Sequence, residues 1–332
     1  MEKRTKASNN NSTMGILVAL IALCVILSLA SKSFLTTSNL LNVLQQISIN
    51  FTIAIGMSFI ILLGGIDLSV GSNTAFCGLI MAILMKNAMV PVWLSILIGI
   101  LCAGLVGLIN GTLITLFNLP PFIATLGMMS IARGIAYTIT AGQPIYTFPP
   151  SFTGITARVM GIPLITIIIM ILLFVVAAYA LKYMKYGRYI YAIGGNENCA
   201  KLSGINVKKV KCLAYVISGF CCGIAGMLLT SRLDSAVPTN ADGAEMDAIA
   251  AVVIGGISMN GGEGKLTGTL IGALIIGVIG NGLNLLNVPQ GAQKMVKGLI
   301  ILIAVIVDVL RRREKSGSGS TAWISRLIKS KG

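Results

Sequence analysis

Ten apolar runs separated by polar intervals determine what this chain can fold into. They comprise residues 14–30, 43–63, 70–85, 92–117, 122–141, 163–181, 213–229, 248–259, 266–286 and 296–310. Runs of about 18 residues or more with few charges are typical of transmembrane helices. With 55% hydrophobic and only 11% charged residues, the chain is therefore predicted to be an all-α polytopic membrane protein with about ten transmembrane helices. Run 248–259 is too short to cross, so it is expected to be a half-helix or to begin earlier, at Ala244.

Basic residues are concentrated at both ends of the chain and in the interval 182–211. This interval contains seven Lys and Arg residues and one acid, Glu197. Because Lys and Arg accumulate on the cytoplasmic side of membrane proteins, the interval and both termini are predicted to be cytoplasmic. The chain then consists of a cytoplasmic segment 1–13, a transmembrane domain 14–310 and a basic cytoplasmic tail 311–332. Anionic lipid and topology explain the net charge of +15, so no nucleic-acid partner is expected.

Two features near the ends leave alternatives open. Ser28 and Ala30 are small enough to resemble a signal-peptidase site, although an uncleaved anchor is favoured. In the tail, apolar residues at helical spacing over 323–328 fit an interfacial helix, and disorder fits equally well.

The centre of the basic interval predicts a short exposed helix. Asn196 can cap a helix running from Glu197 to about Ser203, and Gly204 can end it in the left-handed conformation. Such a helix would be a suitable lever for another protein. The alternative is an ordinary solvated loop.

Several kinds of chemistry are excluded by composition. The chain has no histidine, which removes His-centred triads and His metal sites. Its seven cysteines form no CxxC pair and are expected to be packing residues, so no metal site is predicted. The stretch ending at Lys265 is not a phosphate loop, because Leu266 stands where Ser or Thr is needed. The chain is therefore expected to have no ATP site of its own.

A glycine-rich break, GGIDLSVG from Gly64 to Gly71, interrupts two apolar runs. Broken helices at membrane depth require protein or water around their free backbone groups, as at a translocation path. The alternative is a cytoplasmic turn in which Asp67 caps the next helix. A similar stretch, GGISMNGG from Gly255, hints at an internal duplication.

Charged residues near the spans suggest further candidates. Arg133 lies within an apolar run, where it would face a cavity or an acidic partner, or else extend to the outer interface. Asp242 and Glu245 fit a capping-box-like helix start, with Asp247 favourable in the same turn. Glu245 and Asp247 would then lie on the outer face, where a delivered substrate or partner arrives.

Four motifs, in order, resemble the membrane permeases of ribose-type sugar ABC importers. They are GGIDLSVG from Gly64, NG at Asn110 followed by LPPFIATLGMMSIARG, GRYIYAIGGNENCAKLSGINV from Gly187, and DGAEMDAIAAVVIGG from Asp242. The resemblance covers about residues 15–310. Asn198-Cys199 and Met246 depart from the common pattern.

The resemblance implies the ABC importer permease fold in the bacterial inner membrane, without catalytic activity. It implies a homodimer or paired permease, an extracytoplasmic sugar-binding protein, and cytoplasmic ATPase subunits, or one fused tandem ATPase, that bind ATP and Mg. Residues 200–204 resemble the coupling helix that docks into the ATPase.

Candidate residues can then be named for each task. The coupling candidates are Asn196, Glu197, Ala200, Leu202 and Gly204. The path candidates are Asp67, Ser69, Asn73, Asn110, Thr125, Arg133 and Asn281. The candidates on the binding-protein side are Glu245, Asp247 and Arg232.

Two other functions remain open at this point. An ion-coupled secondary transporter would need titratable groups inside the membrane, and few acids are available for that role. An ABC permease for another cargo, such as a nucleoside, an autoinducer sugar or a branched-chain amino acid, has no sequence feature against it.

Overall fold

The computed structural model describes residues 2–159 and 161–315, with side chains described over 14–159 and 161–310. This part of the chain contains thirteen helices and a two-stranded antiparallel ribbon. The helices are α1 (Glu2–Ala30), α2 (Thr37–Leu62), α3 (Val70–Lys86), α4 (Val92–Thr115), α5 (Pro121–Thr140), α6 (Pro150–Thr153), α7 (Leu164–Tyr183), α8 (Lys185–Gly195), α9 (Glu197–Leu202), α10 (Val207–Leu233), α11 (Ala244–Ile254), α12 (Leu266–Leu285) and α13 (Gln290–Lys315). The strands are β1 (Ile145–Tyr146) and β2 (Ser235–Ala236).

The predicted all-helical membrane architecture is confirmed. Each of the ten apolar runs coincides with a helix over most of its length, and run 248–259 extends five residues beyond the end of α11. Six helices of the described chain are long and apolar enough to cross a membrane, namely α2, α4, α5, α7, α10 and α12. Residues 14–30 and α3 are shorter apolar helices. The total of ten spans and the side on which the termini lie stay predictions, and residues 323–328 fall outside the described chain.

The antiparallel pair α4 and α10 supports the candidate site. Small residues let the two backbones approach closely, as is common between membrane helices. A Cβ atom added to Gly111 would lie 2.9 Å from the Cα of Cys212, and one added to Gly223 would lie 2.9 Å from the Cα of Ile100. Between these points Gly219 lies against Ala103. The position of another residue along the bundle can therefore be described by the part of α10 that it contacts.

Helix α2 is the most enclosed of the six long helices. It packs against α10, α11, α12 and α7, and most of its side chains from Val43 onward are buried. By contrast, α4 and α7 present rows of large apolar side chains on the surface of the chain, such as Leu101, Leu105, Leu172 and Val176. The polar residues of the candidate site therefore lie in the interior of the bundle, while the periphery is suited to lipid.

Candidate translocation and coupling sites

The break between α2 and α3 begins at the exposed Gly64 and is buried at Asp67 and Ser69. Asp67 is only 3% exposed, and its Oδ1 accepts hydrogen bonds from the backbone N–H of Ser69 at 2.9 Å and from the Ser69 hydroxyl at 2.6 Å. Asn110 of α4 donates to the Ser69 hydroxyl at 2.8 Å, and Tyr215 of α10 donates to the Ile66 carbonyl at 3.1 Å. Asp67 thus closes a turn before α3 with its carboxylate buried, and the side of the membrane on which the break begins stays a prediction.

Two short helices begin close to the middle of the bundle. Asn73, in the first turn of α3, donates to the Ala103 carbonyl at 3.1 Å, and Ala103 lies against Gly219 near the midpoint of α10. At this level a Cβ atom on Gly71 would lie 2.6 Å from the Ala241 carbonyl oxygen and would overlap the Glu245 carboxylate.

From this meeting point the two helices run in opposite directions. Helix α3 leads towards the C-terminal end of α10, where Gly78 lies against Thr230. Helix α11, with 11 residues or about 16 Å, leads to Gly255, which lies against Gly268 near the start of α12. Their N-termini therefore meet inside the bundle, an arrangement that broken transporter helices use at substrate sites.

Three buried oxygen atoms around this point accept no hydrogen bond from the described residues. They are Oδ1 of Asn73, Oδ1 of Asn110 and the Ser218 hydroxyl oxygen. Buried polar atoms normally have a partner, so unused acceptors are able to receive hydroxyl hydrogens from a bound molecule. Ser218 and Tyr215 were not predicted as site residues, because they occur within a continuous apolar run that gives no sign of their partners.

A loop between α10 and α11 covers this region and is fixed by charged residues. Arg133 of α5 donates to the carbonyls of Pro238 and Asn240, the latter at 2.9 Å. Its hydrogen-bond partners are therefore backbone carbonyls, and its charge also acts on the nearby Asp242 carboxylate. On the other side, Asp242 pairs with Lys294 of α13 at 2.9 Å, which lowers the pKa of the Asp242 carboxyl.

The predicted exposed helix in the central loop is confirmed as α9, one residue shorter than expected. The Asn196 side chain accepts the Cys199 N–H at 3.0 Å, and Gly204 has a φ of 80°. Leu202 is 89% exposed, whereas Ala200 is 4% exposed and packs inward. An apolar side chain displayed on a capped six-residue helix is suited to contact with another protein.

Comparison with known proteins places this arrangement in a family. The family model described as the permease component of branched-chain amino acid transport systems matches residues 39–305. The chain belongs to this permease family. It is a component of a transport system rather than an enzyme, and a multi-pass protein of the bacterial inner membrane.

The permease is similar to named sugar permeases over most of its length. The ribose import permease protein of Haemophilus influenzae is 48% identical over 88% of this chain and 91% of that protein. The ribose import permease protein of Bacillus subtilis is 45% identical over 92% and 96%. The D-allose transport system permease protein of Escherichia coli is 41% identical over 85% and 87%. No solved structure matches the chain.

The start of α11 differs from the predicted capping box. The N-cap of α11 is Gly243, with a φ of 81° and no side-chain cap, and Asp242 is engaged with Lys294 instead. Glu245 is buried against Gly71, so it does not lie on an open outer face. Asp247 pairs with Lys297 at 2.8 Å. Glu245 and Asp247 both lie in the first turn of α11, where a negative charge is favourable.

The remaining predicted residues are distributed over different parts of the permease. Thr125 is buried on α5 and donates to the Pro121 carbonyl of its own helix at 2.8 Å. Asn281 of α12 exchanges two hydrogen bonds with Asn39 of α2, at 3.0 and 2.8 Å. It lies between α12 and the N-terminal end of α2, away from the break. Arg232 is half-buried in the last turn of α10. The structure therefore does not bring Asn281 together with the other path candidates.

Proposed function

We propose that the chain is the permease subunit of an ATP-driven importer of ribose or a related monosaccharide. The chain forms the translocation path, and a separate ATPase supplies the energy. The cargo assignment is supported by relatives named for ribose and D-allose that align over most of both chains.

The proposed path passes the point at which α3 and α11 meet. Ser69, Asn73 and Asn110 offer uncharged oxygens and amides there, and two of these side chains have an unused acceptor. A neutral polyhydroxylated cargo needs such groups, because each hydroxyl taken from water requires a replacement partner. Asn281 is left out of this proposal because Asn39 already satisfies it.

The exposed helix α9 is the observation that supports coupling to an ATPase. This helix is capped at both ends, exposes Leu202 and bears the Lys211–Glu197 ion pair of 2.6 Å. We place the ATPase on this helix, with ATP and Mg bound by the ATPase and none in this chain. Two permease subunits, identical or paired, would enclose one path, and ATP-driven closure of the ATPases would switch its access between the two sides.

The remaining parts of the system follow from this assignment. With α9 in the cytoplasm, ten spans place both termini there, so that residues 1–13, the loop 182–211 and residues 311–332 are cytoplasmic and 14–310 form the permease domain. An extracytoplasmic sugar-binding protein would deliver cargo on the opposite side, near Arg232 and the loop that precedes α11.

Transport by reconstituted vesicles tests the proposal. Proteoliposomes that contain the permease with its copurified ATPase, and ATP inside, should take up labelled ribose when the binding protein is added outside. Uptake by the lone permease under a proton or sodium gradient, without ATP, would contradict the proposal and support a secondary transporter.

A matched pair of variants tests the role of α9. Gly204 and Gly161 are both exposed, have φ values of 80° and 83°, and would have no atom within 4 Å of an added Cβ. Gly204→Asp should abolish uptake while membrane insertion persists, because it puts an anion at the docking surface. Gly161→Asp imposes the same backbone strain in the loop before α7 and should leave uptake intact. Equal behaviour of the two variants would reject the coupling role.

A further inference from the structure

Three backbone segments meet next to the start of α9. They are the end of α2 at Leu62, the end of α8 at Gly194, and the loop after α11 at Gly261 and Gly262. The Gly262 N–H donates to the Leu62 carbonyl at 2.9 Å. A Cβ atom on Gly194 would overlap both the Leu62 carbonyl oxygen and the Gly262 nitrogen, and it would lie 3.1 Å from the Gly261 carbonyl carbon. We call this meeting point the glycine junction.

The contacts at the glycine junction are between backbones, which cannot give way as side chains do. A Cβ atom on Gly261 would also lie 2.7 Å from the Gly64 nitrogen and 3.0 Å from the Gly194 Cα. The two glycine-rich stretches that resemble each other in sequence, at Gly64 and at Gly255, therefore reach the same point in space. The first stretch leads into α3 and the second follows the end of α11, and these are the two short helices of the proposed path.

A hydrogen bond adds a second connection one turn away. The Tyr191 hydroxyl of α8 donates to the Gly264 carbonyl at 3.0 Å. Tyr191 and Gly194 lie three residues apart and therefore on the same side of α8. Gly195 separates Gly194 from Asn196, the cap of α9. A displacement of α9 is thus applied almost directly to the glycine junction.

We infer that Gly194 is a positioning residue that transmits movement of α9 to the breaks beside α3 and α11. This inference rests on the proposed coupling of α9 to an ATPase. Rigid contact at the glycine junction lets one displacement act on the break before α3 and on the C-terminal end of α11 together, since packed backbones transfer motion rather than absorb it.

Neighbouring glycines provide a controlled test. Gly194 and Gly195 are adjacent, both belong to α8, and neither has a positive φ, so alanine suits the backbone at both positions. An added Cβ overlaps backbone at Gly194 but has no atom within 4 Å at Gly195. Differences between the Gly194→Ala and Gly195→Ala variants therefore report the contact itself.

The measurement is labelled ribose taken up per ATP hydrolysed, in vesicles that contain the permease, its copurified ATPase and the binding protein. Gly194→Ala should keep its ATPase and continue to hydrolyse ATP, while uptake per ATP falls by about tenfold or more because the junction is forced apart. Gly195→Ala should match the original chain. Equal ratios for both variants, or loss of the ATPase from Gly194→Ala, would overturn the inference and leave Gly194 with a purely structural role.

A milder variant covers the case in which Gly194→Ala does not fold. Tyr191→Phe removes the bond to Gly264 without adding volume, and it should reduce uptake per ATP by about two- to tenfold. An unchanged ratio would overturn the inference. The unmodified permease distinguishes failure of this inference from failure of the proposed function. If it shows ATP-driven uptake, the proposed function is supported whatever the variants do. If it shows none, both the proposed function and the role of Gly194 are overturned.

Discussion

The close approach of α2 and α10 predicts how much stability the Gly56→Ala variant loses. Gly56 of α2 lies against Ser218 of α10, and a Cβ atom added to Gly56 would be 2.7 Å from the Ser218 Cα and 3.2 Å from the Cys221 Cβ. An ordinary contact begins at 3.4 Å, so Gly56→Ala must separate the two helices by about 0.7 Å. Overpacking of this kind costs roughly 1–3 kcal/mol.

A second glycine isolates this cost from the helix propensity of alanine. Alanine is favoured over glycine within a helix by about 1 kcal/mol, which offsets part of the overpacking. Gly127 of α5 is also helical but would have no atom within 4 Å of an added Cβ. Gly127→Ala should therefore gain the propensity term alone, and the stability difference between the two variants should be about 1–3 kcal/mol.

Unfolding in detergent, by denaturant and by heat, measures this difference. The Gly56→Ala variant should be the less stable one and should also transport more slowly, because Leu62 at the glycine junction lies less than two turns further along α2. Equal stability of the two variants would refute the reasoning, since it would mean that α2 and α10 separate at no cost.

Two further predictions concern polar side chains. Asn281→Ala removes the donor to the buried Asn39 Oδ1, so stability should fall by about 1–3 kcal/mol, while the sugar concentration for half-maximal uptake should not change. A change in that concentration would indicate that Asn281 contacts the sugar in the path. Arg133→Ala releases the carbonyls of Pro238 and Asn240 and should slow uptake, and Arg133→Lys should restore part of the rate because an ammonium can donate to the same carbonyls. Uptake unchanged in both Arg133 variants would contradict a role for this loop in access.

Local signals in the sequence were sufficient to predict the positions of several helices. The predicted helix at 197–203 was confirmed because its start and end depend on neighbouring residues, Asn196 and Gly204. The earlier start of the short run, at Ala244, was also confirmed. Hydropathy alone located the long helices, since the bilayer fixes both their length and their composition.

Features that depend on distant residues could not be predicted in this way. The capping box at Asp242 was wrong because Lys294, 52 positions away, competes for the carboxylate and Gly243 takes the cap position. In the same way, the sequence gives no sign that Gly194 meets Leu62. Both glycines of a Gly-Gly pair look alike in the sequence, although an added Cβ would collide at one and be free at the other.

The shortness of α11 has a consequence for how the protein is made. Its 11 residues, with two carboxylates in the first turn, are not a stretch that lipid would accept alone during synthesis. Gly71, which makes room for Glu245, is already present when α11 leaves the ribosome, but Lys297, the partner of Asp247, is still to come. We therefore expect α11 to take its final position only after Lys297 of α13 has been made and can pair with Asp247.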